Sequence, residues 1–129
     1  MAMTQAERDA QDAQTLADSK SAHPKKYRDE KLYNDIVING VTIEPNDLTQ
    51  QRLIAARISA KEDAQYTVDW KTSAGFVTLN ATQVIAFADA VNEHVKKCFA
   101  AEKTTTINLD SYATLEQIEG AFDAAYDAL

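Results

Sequence analysis

The sequence predicts an α+β fold: two short β-hairpins packed with two to three amphipathic helices, plus an N-terminal helical arm. Three observations predict this class. An Asn-Gly pair joins two β-branched runs, an alternating strand is followed by a turn and a return strand, and capping residues precede two stripes of apolar side chains. The predicted division is an arm with a charged linker over residues 1–31 and a small α+β domain over residues 32–129.

The first predicted helix covers residues 4–22, where Thr4 and Glu7 have the spacing of a capping box. One face of this helix is almost entirely alanine, with one leucine nearby: Ala6, Ala10, Ala13, Ala17 and Leu16. Burying alanine removes little apolar area from water. Three interpretations therefore stay open: a partly disordered arm, a small-residue face that lets a helix of a partner or of a second copy approach closely, and docking on the chain's own domain.

The arm is expected to end at His23, because Pro24 disfavours the helical conformation in the residue before it. The charged run that follows, residues 25–31, mixes acidic and basic side chains. This mixture favours a solvated connector over a phosphate-binding patch.

The first hairpin is predicted around Asn39-Gly40, because both residues of the preferred two-residue turn must accept positive φ. The resulting register places four apolar residues on one face: Ile36, Ile38, Val41 and Ile43. Val37 and Thr42 then lie on the opposite face.

A helix follows this hairpin and is expected to end near Asp63, with Asp47 as its N-cap. Its buried face is predicted from the spacing of four apolar residues: Leu48, Ile54, Ala55 and Ile58.

The second hairpin is predicted from Tyr66, Val68 and Trp70, which alternate with polar residues as in a half-buried strand. A turn leads into a return strand that begins at Phe76. We expect Tyr66, Trp70 and Phe76 to form the core between this hairpin and the helix that follows it.

That helix has the most regular pattern in the chain. Asn80 and Gln83 form a predicted capping box, and the apolar stripe recurs at intervals of four and three residues: Val84, Ala88, Val91, Val95 and Cys98. The single cysteine, Cys98, is expected to be buried and inert. The β-prone threonines at positions 104–106 are expected to weaken the helix.

The final helix is predicted to begin at Thr114, with Gln117 at the capping-box spacing. Its stripe consists of Leu115, Ile118, Phe122, Ala125 and Leu129. Acidic residues at its C-terminus oppose the helix dipole. The last turn is therefore expected to fray unless a partner covers it.

Composition excludes several classes of function. The net charge of −7 and the pI near 4.7 repel nucleic acid and anionic lipid. Two histidines and one cysteine are a poor inventory for a metal site or a catalytic nucleophile, and His94 is expected to be exposed or at an edge. No catalytic residue, metal or cofactor is predicted. No apolar run reaches membrane-spanning length and the first residues do not have the pattern of a secretory signal, so neither a membrane span nor a leader is expected.

From about Ile36 to the end, the order of elements resembles an uncharacterised domain family of tailed bacteriophages, whose members are encoded beside, or fused to, tail-fibre and tail-fibre-assembly genes. The most specific segment of the resemblance is WKTSAGFVTLNATQV, Trp70–Val84. Residues 1–31 lie outside it. The resemblance implies a non-enzymatic tail or tail-fibre accessory protein that is assembled in the host cytoplasm, becomes part of the virion tail and binds a fibre or baseplate protein.

Two alternatives stay open: a tail-fibre assembly chaperone that is absent from the mature virion, and an acidic inhibitor of a host enzyme. For an adaptor, the hypothesis assigns partner binding to the alanine face of the arm and to the final helix. The residues are Ala6, Ala10, Ala13, Leu16, Ala17, Phe122, Tyr126 and Leu129. The partner is a fibre or baseplate protein, or a second copy of the chain.

Overall fold

The computed structural model describes residues 2–129 and places them in four α-helices and two separate antiparallel sheets of two strands each, which confirms the α+β class. The elements are α1 (Gln5–Leu32), β1 (Ile36–Ile38), β2 (Val41–Ile43), α2 (Asp47–Glu62), β3 (Thr67–Thr72), β4 (Gly75–Asn80), α3 (Ala81–Ile107) and α4 (Leu115–Asp127), with a 3-10 turn at Leu109–Ser111.

The chain forms two compact units. One contains the residues up to Asp29 together with Lys97–Leu129, and the other contains Glu30–Lys96. The division predicted at residue 31 lies next to the first boundary, whereas the second unit ends at Lys96 and not at the C-terminus. The role of residues 1–31 as an arm stays a prediction.

The unit Glu30–Lys96 begins with the hairpin that the Asn-Gly pair predicts. Asn39 and Gly40 have φ values of 51° and 79°, as the turn requires. The predicted register is observed in all three pairs: Ile36–Ile43, Val37–Thr42 and Ile38–Val41. The predicted inner face is buried or half-buried and the outer face is exposed.

The second hairpin is confirmed, apart from one aromatic residue. Tyr66, Val68 and Trp70 are half-buried and alternate with exposed neighbours. Phe76, however, is 73% exposed, because it lies opposite Lys71 on the outer face of the sheet. The expectation that Phe76 belongs to the core is wrong.

Helix α3 begins as predicted. The Gln83 backbone N–H donates to Asn80 Oδ1 and the Asn80 backbone N–H donates to Gln83 Oε1, both at 2.9 Å. Leu79 and Val84, on either side of this cap, are buried in the hydrophobic cluster of the unit. The predicted stripe of α3 is buried, with Val95 half-buried.

Helix α2 buries a different face from the one predicted. Its N-cap is Asn46 and not Asp47, because Asn46 Oδ1 accepts the Thr49 backbone N–H at 2.8 Å. The four apolar residues of the predicted face are exposed: Leu48, Ile54, Ala55 and Ile58. The buried residues are Leu53, Ala56 and Ala60. Their two alanines allow close packing around a single large side chain.

His94 also differs from expectation. It is buried, and its Nε2 lies 3.2 Å from the carbonyl oxygen of Leu32. The expectation of an exposed or edge position is wrong. A backbone acceptor explains how the ring is tolerated inside, since buried polar groups need hydrogen-bond partners.

In the other unit, α1 does not end at His23. It continues through Pro24 as far as Leu32, so the predicted connector is helical. Proline removes one intrahelical hydrogen bond. However, Pro24 is fully buried, and the Tyr27 ring packs edge-on against Phe122 with centroids 5.1 Å apart. This packing offsets the free-energy cost of the hydrogen bond lost at Pro24.

The threonines near the end of α3 do not weaken it. Thr105 is fully buried, and its Oγ1 donates to the carbonyl oxygens of Ala101 and Glu102 at 3.1 and 3.0 Å. The hydroxyl is satisfied by the helix itself, so α3 continues to Ile107. The helix that was expected to weaken at these threonines is continuous through them. Cys98, in the same part of α3, is fully buried as predicted.

Helix α4 has the predicted N-cap. Thr114 Oγ1 accepts the Gln117 backbone N–H at 3.2 Å, and the Gln117 side chain accepts the Ala113 backbone N–H. Ile118 and Phe122 of its apolar stripe are fully buried.

Candidate functional site

The N-terminal half of α1, residues 5–19, carries the predicted docking face. Every residue from Ala2 to Ser19 is exposed, including the five arm residues of the docking hypothesis. At 1.5 Å per residue this open helical segment is roughly 22 Å long. The largest apolar side chain on its predicted face, Leu16, is 48% exposed.

The exposed alanine face of α1 continues along the helix into a face that is packed against α4. The four-and-three spacing of the alanines runs on past the predicted end of the helix: Ala6, Ala10, Ala13, Ala17, Lys20, Pro24 and Tyr27. Residues at this spacing share one side of a helix. The same side of α1 is therefore covered near Tyr27 and uncovered before Lys20.

The covered end is held by α4. Tyr27 packs edge-on against Phe122, and its hydroxyl donates to the Asp123 carboxylate at 3.0 Å. His23 is buried, stacks on Tyr27 and has its Nε2 3.5 Å from Glu119 Oε1. The sequence-based interpretation placed His23 in a linker and missed this packing.

An ion pair with α3 reinforces the covered end. The Arg28 guanidinium lies 2.6 Å from Glu102 Oε2, 2.7 Å from Asp29 Oδ1 and 4.5 Å from the centre of the Phe99 ring. Burial lowers the pKa of Arg28, but hydrogen bonds from Arg28 to Asp29 and Glu102, together with their charges, outweigh burial and raise the pKa above its ordinary value. Arg28 therefore stays charged.

Local polar bonds support the open half of α1. Gln5 Nε2 donates to Asp9 Oδ1 at 2.7 Å, and Gln14 Nε2 donates to Asp18 Oδ1 at 2.9 Å. Each bond joins residues four apart on the helix, the spacing that stabilises helices without tertiary contacts. The N-terminal capping box is also formed, between Thr4 and Glu7.

The three residues of α4 in the docking hypothesis lie in different environments. Phe122 is fully buried in its own unit, so it is not on the surface that a partner could contact. Tyr126 is half-buried, with the Lys97 ammonium 4.2 Å from its ring centre. Leu129 is 62% exposed. The structure brings together the arm residues on one face, but it does not add Phe122 to that surface.

The signal that could have extended the site was the residue spacing beyond Ala17. Lys20, Pro24 and Tyr27 keep the same four-and-three interval. The local rule for a residue before proline ends the predicted helix at His23, although the interval continues beyond it. With helix α1 uninterrupted, the alanine face and the Tyr27 face form one surface.

Two other kinds of site are absent from the part of the chain that the structure describes. Within residues 2–129, no group of three His, Cys, Asp or Glu side chains could hold a metal ion. In the same range, no helix combines the length and the apolar character needed to cross a membrane.

A comparison with models of known protein families gives a match. A family model described as a domain of unknown function, DUF4376, matches residues 15–128. The matched range starts inside α1, so it includes the covered end of the α1 face. Neither the curated proteins nor the solved structures contain a significant match to the chain.

Proposed function

The chain belongs to the DUF4376 family, and we propose that it is a non-enzymatic bacteriophage tail or tail-fibre accessory protein. In this role it is a structural adaptor in the virion tail that binds a fibre or baseplate protein. The phage context rests on the resemblance of residues 36–129. The binding role rests on one observation, the continuity of the packed and open faces of α1.

The open face suits a helix of the partner. Near Tyr27 the face already packs on α4, which supports its fitness for helix–helix contact. Towards the N-terminus, Ala10, Ala13 and Ala17 contribute only methyl groups to this face. Small side chains shorten the distance at which two helix axes can pack. A partner helix could therefore lie along residues 5–19.

The segment is also helical before any partner binds. Its capping box and its four-residue polar bonds form without a partner. A surface that is ordered before binding loses less conformational entropy on association. This supports a stable adaptor, since affinity does not first have to order the arm.

Enlarging the alanine face tests the proposal. The variant Ala10→Gln, Ala13→Gln and Ala17→Gln keeps a good helix former at each site but blocks close approach. We expect capture of the fibre or baseplate protein from infected cells to fall at least about tenfold, equal to ~1.4 kcal/mol of binding. The melting temperature should not change, because these side chains are exposed.

The control is Thr15→Gln with Ser19→Gln, which places glutamine side chains on the opposite side of the same helix. This control should capture the partner as the unmodified chain does. Undiminished capture by the alanine variant, or an equal loss in the control, would contradict the role of the alanine face.

A further inference from the structure

Helix α2 is apolar on two opposite sides. On one side, Leu53 packs in the hydrophobic cluster of the unit Glu30–Lys96. The other side carries three large apolar residues, each more than half exposed: Leu48, Ile54 and Ile58. A helix that contacts its own domain on one side is normally polar on the other. The exposed side of α2 therefore has the character of a contact surface.

A groove lies beside Ile54, between α2 and α3. It has a volume of about 360 Å³, and Ile54 and Val95 line it. Arg57 and Asp89 also line the groove, but they form an ion pair with each other at 2.9 Å. An apolar side chain can therefore enter beside Ile54 without separating a charge from its partner. An exposed isoleucine next to such a recess gives the surface both halves of a contact.

Two charged residues lie symmetrically about Ile54. Asp47 is seven residues before it and Lys61 is seven residues after it, so all three share one face of the helix at two-turn intervals. Both charged residues are exposed. Within residues 2–129, Lys61 forms no ion pair. Asp47 Oδ1 accepts the Tyr33 hydroxyl at 3.0 Å, which leaves Asp47 Oδ2 open to a cation.

This face is complementary to itself when two copies of α2 run antiparallel. A two-fold axis beside Ile54 places each Ile54 side chain against the groove of the other copy, and each Asp47 beside Lys61 of the other copy. Each ion pair then lies roughly 10 Å from the axis, the rise of seven helical residues. Helices that cross at about 20° stay close over this length. One surface therefore gives two identical ion pairs around an apolar centre.

The other charges of α2 agree with this register. Each lies opposite a neutral residue of the second copy: Arg52 opposite Ala56, Arg57 opposite Gln51, and Glu62 opposite Asn46. A parallel arrangement would instead bring Asp47 beside Asp47 and Lys61 beside Lys61, and would place like ends of the helix dipoles together. The charge pattern therefore selects the antiparallel arrangement.

A second copy also suits the charge of the chain. Copies with a net charge of −7 repel each other. Helix α2 carries three cations and two carboxylates: Arg52, Arg57, Lys61, Asp47 and Glu62. Contact through α2 therefore adds no acidic excess at the interface.

We propose that α2 is a dimerisation surface, on which a second copy of the chain packs antiparallel with Ile54 at the two-fold axis. One face of a helix that is about 24 Å long buries less area than the interfaces of permanent dimers. The dimer is therefore weak, with a dissociation constant on the order of 10 to 100 µM. A chain diluted to about 1 µM is monomeric, and Ile54 is exposed in unfolding measurements at that concentration.

This inference goes beyond the proposed function and uses a different surface. Residues 5–19 of α1 lie in the other compact unit, and α2 contains no residue of the docking hypothesis. Capture of a fibre or baseplate protein through α1 and self-association through α2 are therefore independent results.

Sedimentation equilibrium of the full chain tests the dimer. From about 5 to about 500 µM, the average mass should rise from 14.2 kDa towards twice that value. Lys61→Asp places two carboxylates beside each other in both ion pairs, and Asp47→Lys places two ammonium groups there. Each variant should weaken self-association at least about tenfold. The matched control is Lys103→Asp, which makes the same charge change at an exposed lysine of α3.

Mixing the two variants tests the orientation. A copy with Asp47→Lys and a copy with Lys61→Asp restore both attractive pairs across the axis, so the mixture should associate at least about tenfold more tightly than either variant alone. The proposal is overturned if the unmodified chain stays monomeric up to about 500 µM, if Lys61→Asp associates as tightly as Lys103→Asp, or if the mixture associates no more tightly than its components. A mass that exceeds two chains would indicate a contact without closed symmetry and would also overturn it.

Discussion

Replacing Phe122 with alanine is expected to lower the free energy of unfolding by about 3–5 kcal/mol. Phe122 is fully buried, and Tyr27 packs edge-on against its ring. Truncation removes the apolar area and leaves a cavity between α1 and α4. Urea unfolding followed by circular dichroism measures the effect on the full chain.

The matched control is Phe76→Ala, the same truncation at a side chain that is 73% exposed. Its effect should stay within about 0.5 kcal/mol, as for most surface substitutions. If Phe122→Ala is as mild as Phe76→Ala, Phe122 is not a core residue and returns to the set of partner-binding candidates.

The second large effect is expected at Leu53. Leu53→Ala should cost about 2–5 kcal/mol, because this side chain is 1% exposed and belongs to the hydrophobic cluster with Leu79 and Val84. The neighbouring substitution Ile54→Ala should stay within about 0.5 kcal/mol, because Ile54 is 62% exposed. Thermal and urea unfolding of both variants measure the difference.

These adjacent positions distinguish the observed face of α2 from the one that the spacing predicts. The predicted face contains Ile54 and excludes Leu53. A larger loss at Ile54 than at Leu53 would contradict the structure and favour the predicted face.

Local signals explain what was predictable in this fold. The Asn-Gly turn, the alternation around Trp70 and the capping boxes at Asn80 and Thr114 depend on residues within a few positions of one another. Their energies arise in the same segments that carry the pattern. The structure confirms each of them, with the register of the first hairpin correct in every pair.

The predictions are wrong where contacts between residues far apart in the sequence determine the structure. On α2, the spacing of four apolar residues predicted one face, but the face that is buried consists of Leu53 and two alanines. At Pro24, the local preference for a helix end is overridden by the contact of Tyr27 with Phe122, which is far away in sequence. The sequence pattern around Pro24 contains no sign of that partner.

The candidate sites divide in the same way. The alanine face is visible in the spacing from Ala6 to Ala17, so it could be predicted. The covered end of the α1 face could not, because Tyr27 and Phe122 are far apart in the sequence and only the fold brings their rings together.

Quantitative mass spectrometry of purified phage particles tests the central claim most directly. The copy number of the chain is scaled to the fibre, baseplate and major tail proteins. The adaptor account predicts that the chain is present in the particle in a simple ratio to a fibre or baseplate protein. Absence from particles that carry complete fibres would contradict this account and favour an assembly chaperone.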